Sequence, residues 1–75
     1  VAKLPVVSGK GLIAILKKGG FHVVRQRGSH VSLQKGTFKA VVPLHDELAK
    51  GTLLGILKQC GLSREHLTHL IEKQR

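Results

Sequence analysis

Between Phe21 and Pro43 the chain changes its hydrophobic period, and that change limits the fold more than any other feature. Upstream, Leu12, Ile13 and Leu16 recur at the spacing of one helical face, with Ile15 broadening the stripe. Inside the segment, His30-Val31-Ser32-Leu33-Gln34-Lys35 alternates polar and apolar with a period of two, the pattern of a strand buried on one face. Downstream, Leu53, Ile56, Leu57 and Cys60 return to helical spacing at i, i+3, i+4 and i+7.

Punctuating residues set the boundaries. Ser8 suits an N-cap because its hydroxyl can accept an early unpaired backbone N–H. Lys17 and Lys18 suit the negative end of the helix dipole, and Gly19-Gly20 stops the helix, which is predicted over about residues 9–19. Strand formers over 21–26, a turn at Arg27-Gly28-Ser29, the alternating strand over 30–35, a turn at Lys35-Gly36 and a third strand over 38–42 ended by Pro43 make an antiparallel meander. Residues 44–50 are a polar connection. A second helix starts at about Gly51 or Thr52 and is capped by Gly61, with Leu62 placed for the hydrophobic contact of a Schellman end. Ser63 caps a third, short helix that has Glu65 in its first turn and buries Leu67, Leu70 and Ile71. The order α-β-β-β-α-α predicts an α+β fold, a two-layer sandwich in which helices one and two cover one sheet face and leave the other open. Seventy-five residues hold one core, so residues 1–75 are read as a single domain.

Charge narrows the partners. Thirteen Lys and Arg against four acids give +9 at pH 7, a field that attracts polyanions. Nucleic acid is the first partner to consider, then an anionic membrane or an acidic protein. Hydrophobic residues make up 41% of the chain, which argues against disorder. Phe21 and Phe38 are the only aromatic residues, and both are expected inside, so base stacking is a poor candidate for the main binding force. The lone Cys60 rules out an intramolecular disulfide and reads as a buried, inert thiol. The chain is expected to be cytoplasmic and to have no membrane partner, since no stretch approaches a signal peptide or a membrane span.

Strand parity then points to a site. Val31 and Leu33 must face the helices, so His30, Ser32 and Gln34 lie on the open face. In the third strand Phe38, Ala40 and Val42 share the more apolar parity, which turns Lys39 outward. The first strand is ambiguous: Val23 and Val24 compete for the core, and periodicity does not decide whether Arg25 or Gln26 joins His30. An exposed imidazole amid Arg25, Arg27, Lys35 and Lys39 has the parts needed for RNA cleavage, in which a base deprotonates the 2′-hydroxyl and cations neutralise the phosphorane.

A wider set of residues carries a resemblance. Leu4-Pro5-Val6-Val7-Ser8-Gly9-Lys10, Gly20-Phe21, Arg25-Gln26-Arg27-Gly28-Ser29-His30, Val42-Pro43-Leu44-His45, Glu47-Leu48, Lys50-Gly51-Thr52-Leu53 and Ile56-Leu57-Lys58-Gln59-Cys60-Gly61-Leu62-Ser63 occur in this order. In this pattern the chain resembles the HicA-like toxin family, also described as YcfA-like, of bacterial and archaeal toxin–antitoxin modules. The resemblance implies a fold like a double-stranded-RNA-binding domain, and a metal-independent, cofactor-free ribonuclease that cuts messenger RNA and is held inactive by a HicB-type antitoxin. The family's catalytic histidine lies in its Gly-Ser-His turn, which maps onto His30. The RNA-contacting residues expected around it are Lys10, Arg25, Arg27, Ser29, Lys35 and Lys39, and the general acid is left open among Lys39, a protonated histidine and water.

Other candidates carry less. His45 reads as a solvated or structural histidine. His66 and His69 sit at i, i+3 without further ligands at a recognised spacing, so no metal site is expected. Ser8-Gly9-Lys10-Gly11 lacks the upstream glycine and the preceding strand of a phosphate loop. A non-catalytic double-stranded-RNA-binding module rests on the same charge and topology and is the alternative reading, with a docking domain for an acidic protein third.

Overall fold

Ser8 starts the first helix as its chemistry requires: its hydroxyl accepts from the Gly11 N–H at 2.9 Å. The computed structural model describes residues 4–73, and in it helix α1 runs Gly9–Lys18. The helix ends in a Schellman arrangement, with the N–H groups of Gly20 and Phe21 donating to the Lys17 and Leu16 carbonyls. Gly20 adopts φ 102°, which glycine accepts without penalty. Phe21 is therefore the buried hydrophobic end of this cap, and strand β1 begins one residue later than expected, at His22–Arg27.

Strands β2 (His30–Lys35) and β3 (Phe38–Pro43) follow. The three form one antiparallel sheet in the order β1-β2-β3. Both hairpins turn through a positive-φ glycine, Gly28 at 56° and Gly36 at 59°. Each turn is braced alike: the Gln26 and Gln34 amides donate to the Gly28 and Gly36 carbonyls. Arg27 pairs with His30, so the first turn is tighter than the sequence predicts, with Arg27 inside the strand. Pro43, expected to end the third strand, is its last residue.

Helix α2 spans Lys50–Cys60 and α3 spans Arg64–Lys73. The α2 end matches its prediction: Gly61 at φ 69° and Leu62 donate to the Lys58 and Leu57 carbonyls. The Ser63 hydroxyl accepts from the His66 N–H at 3.0 Å and caps α3. All three helices lie on one side. Helix α1 packs on β1 and β3, α2 on β3, and α3 on α1. Leu12, Leu16, Leu33, Val42, Leu53 and Leu67 form the fully buried centre, and no polar or charged described residue is buried. The fold is α+β, in the predicted order α-β-β-β-α with an additional C-terminal helix.

Two expectations about the interior do not hold. Neither Val23 nor Val24 enters the core; every residue of β1 is exposed, because the strand is at the sheet edge and the helices lean toward β3. Phe38, expected inside, is 47% exposed. Its ring lies over Gly61, where an added Cβ would approach it to 2.6 Å.

Gly61 is thus held to glycine by both its backbone angle and the Phe38 ring. Gly61→Ala should lower stability by about 1–3 kcal/mol, read as an earlier denaturant midpoint with an unchanged slope. Cys60 is buried, and that burial pushes its thiol from 9.0 up to about 11. The folded protein should resist thiol-labelling reagents at pH 8 and react once denatured. Because the folded value is the higher, the contribution of Cys60 to stability is complete below pH 9.0 and declines between 9.0 and about 11.

Candidate nucleic-acid interface

Side chains directly opposite one another in an antiparallel pair share a face. The register therefore lays out the open face as three rows. His30 sits between Arg27 on β1 and Pro43 on β3. Ser32 sits between Arg25 and Val41, and Gln34 between His22 and Lys39. The central strand thus presents the three polar residues predicted from parity, and Lys39 faces outward as predicted.

A β-bulge settles the ambiguity of the first strand. The β1–β2 register shifts between Val23 and Arg25, leaving Val24 as the extra residue. Val23 lies opposite Leu33 on the helix side, and the inserted residue then resets the parity so that Arg25 lies opposite Ser32 and Arg27 opposite His30. Both arginines reach the open face for this reason. Without the bulge, the parity set by Val23 would turn them toward the helices. The consecutive valines, where strict alternation would put one, were the visible trace of the insertion.

The turn end of the sheet is pinned from several sides. The Leu44 N–H donates to the Ser29 carbonyl at 2.7 Å, and the Gly9 N–H donates to the His45 carbonyl at 2.9 Å. A Cβ at Gly9 would overlap the Pro43 carbonyl, so the start of α1 abuts the end of β3 directly. That contact accounts for Gly9 without any phosphate loop. It also places exposed Lys10 at the end of the sheet that carries His30. Ser29 is exposed in the turn, and its backbone, through Leu44, ties the hairpin to the third strand.

Lys35 departs from the expected cluster. It pairs with Phe38, on the parity of Val31 and Leu33, and so does not share the face of His30. Its ammonium donates to the Gly19 carbonyl at 2.8 Å and lies 6.0 Å from the centre of the Phe21 ring. A cation at the carbonyl end of a helix is favourable there. The sequence could not separate this use of Lys35 from RNA contact, because a terminal strand residue next to a turn shows little parity signal.

The chain's four acids, Asp46, Glu47, Glu65 and Glu72, all lie outside the three strands, so Arg25, Arg27 and Lys39 share the sheet with no carboxylate residue. His22, His45, His66 and His69 are exposed, and no group of three or more His, Cys, Asp or Glu among the described residues could hold a metal ion. Sequence reasoning also missed Gln59 on α2. Its side-chain oxygen accepts from the Val41 N–H at 3.2 Å and occupies a donor on the outer edge of β3. No helix among the described residues is long and apolar enough to cross a membrane.

The described residues thus form an α-β-β-β-α-α fold with a helix-free sheet face that carries Arg25, Arg27 and Lys39, and a Gly-Ser-His turn at one end. The family model described as HicA toxin of bacterial toxin–antitoxin matches residues 9–62, and the chain belongs to that family. It is a toxin of a toxin–antitoxin system, which implies an antitoxin as partner. No curated protein and no solved structure matches the chain.

The two sheet faces should respond differently to loss of a cation. Lys35→Met should lower stability by up to about 1 kcal/mol and leave the salt dependence of RNA binding unchanged. Arg27→Ala should do the reverse, reducing the slope of log affinity against log salt by about 1. Denaturant melts and salt titrations of binding check both.

Proposed function

We propose that this toxin is a metal-independent endoribonuclease that cuts messenger RNA, with His30 as its acid–base residue and a HicB-type antitoxin as its inhibitor. The observation that carries the reading is the pairing of Arg27 with His30 on the sheet face turned away from the helices, in strands that contain no acidic residue. It puts a guanidinium on the neighbouring strand directly beside an exposed imidazole. The family membership supports the same reading through the Gly28-Ser29-His30 turn.

RNA brings its own nucleophile. In the proposed step the neutral imidazole takes the proton of the 2′-hydroxyl, and the 2′-oxygen attacks the adjacent phosphorus. The P–O5′ bond breaks, leaving a 2′,3′-cyclic phosphate on one fragment. The departing 5′-oxygen takes a proton, from the imidazolium or from water, and becomes a hydroxyl. Two nonbridging oxygens gain charge as the phosphorane forms, and a guanidinium can meet both at once, which suits Arg27 to the scissile phosphate. Arg25, one row along the sheet, suits the neighbouring phosphate. Lys10 and Ser29, at the His30 end, suit the backbone beyond the cut, and Lys39 completes the cationic rim. Lys35 is left out of this set because of its placement on the other face.

Purified protein incubated with single-stranded RNA in chelator should yield 5′-hydroxyl fragments. His30→Ala should abolish cleavage while changing stability by less than about 0.5 kcal/mol, as expected for an exposed side chain. Undiminished cleavage by that variant would refute the assignment. Tight RNA binding by the wild type with no cleavage would instead favour the non-catalytic binding module.

A further inference from the structure

One row along the sheet from His30 the open face dips into a depression between Arg25 and Lys39, whose remaining lining the chemistry above does not use. It is an open groove of about 370 Å³, bordered by Val24 and Arg25 on β1, by 32–34 on β2 and by 39–41 on β3. That volume falls within the range of small-ligand sites. We propose that this depression is a subsite for a single unpaired nucleobase of the RNA, next to the nucleotide whose 2′-hydroxyl His30 activates. The identity of the polymer rests on the ribonuclease reading. The pocket itself is argued from its own residues.

Three features favour a base as the occupant. The first is an apolar surface with no protein cover. Val24 and Val41 are 49% and 44% exposed, although Val41 lies in the middle of β3. A flat heteroaromatic ring laid across both would remove that surface from water. Val24 is there because it is the bulged residue, so the same irregularity that turns the arginines outward also supplies part of the apolar lining.

The second is a pair of hydrogen-bonding groups within the depression. Ser32 contributes a half-buried hydroxyl and Gln34 an amide. The Gln34 amide nitrogen donates to the Gly36 carbonyl at 2.9 Å, which holds the side chain in one orientation. A preorganised amide and a hydroxyl can meet donors and acceptors on a base edge without the entropic cost of ordering.

The third is charge and spacing. Arg25 and Lys39 stand on the two outer strands, on either side of the depression, and suit the phosphates flanking a base. Ser32 lies two residues beyond His30, a separation of about 7 Å along the strand, comparable with one nucleotide of extended RNA. The lining is aliphatic and the half-exposed Phe38 belongs to the other parity, so base affinity should be modest.

The test uses full-length His30→Ala protein, so binding is measured whether or not the wild type cleaves. Fluorescence anisotropy at fixed salt would compare a short single-stranded RNA with an abasic ribose-phosphate oligomer of equal length and charge. The abasic oligomer should bind roughly fivefold to tenfold more weakly, near the lower end of the range for base contacts. That gap should close in Ser32→Ala/Val41→Ser, whose two positions brace no turn, while amide exchange and melting report an intact fold. Equal affinity of the two oligomers for His30→Ala, or a gap that survives in the double variant, would overturn the subsite and leave the depression to bare phosphate contacts or to a protein partner. A gap that behaves as expected, beside a wild type that cuts no RNA, would sustain the subsite and remove the ribonuclease reading instead.

Discussion

A three-stranded sheet has two faces, and this chain has apolar side chains for one of them. Val31 and Leu33 on β2, with Ala40 and Val42 on β3, meet Leu12, Leu16, Leu53, Ile56 and Leu57 from the helices in a single buried cluster. Leu33, on the middle strand, is fully buried. Everything else follows from that one-sided burial. Polar residues of the opposite parity must face away from the helices, and they form a continuous surface because the register carries them in rows across all three strands. The described helices pack on the first face and the strands contain no acidic residue, so the second face is free of those helices and carries Arg25, Arg27 and Lys39.

The bulge at Val24 is the second constraint. Edge strands commonly carry bulges, which twist the strand and disrupt the ladder at a point where another chain could pair. Here the insertion also decides which residues act together. It lets Val23 take the parity of Leu33 and still delivers Arg25 and Arg27 to the side of His30. The other edge is managed differently: Gln59 occupies the Val41 donor, and Pro43 has none to offer. The protein thus protects one edge with a helix side chain and the other with a backbone irregularity.

The described glycines divide by job, and none of those jobs needs a phosphate loop. Gly9 gives way to the Pro43 carbonyl, and Gly61 combines a left-handed backbone with the contact of Phe38. These close approaches hold α1 and α2 against β3, the strand that carries most of the helix packing. They also explain why the His30 end is well anchored while β1 is exposed throughout: Ser29, Pro43, Leu44 and His45 are joined to one another and to α1 by backbone contacts.

Much of this was legible in order along the chain. Helix caps at Ser8 and Ser63, the stop at Gly61, the three strands and the outward turn of His30, Ser32, Gln34 and Lys39 follow from hydrogen-bonding chemistry and a period of two, which are local properties. The family, too, is a property of the sequence. Tertiary structure alone decided which arginines share the face of His30, because a bulge is a mismatch between two strands and one strand read by itself cannot show it. It decided that Lys35 serves the end of α1, since the Gly19 carbonyl comes within its reach only when β2 packs beside the helix terminus. It also left Phe38 half in water and Val24 and Val41 around a depression, because the helices available can cover only part of the sheet. Local chemistry set each residue's conformation, and the limited reach of the helices set which residues were left to meet a ligand.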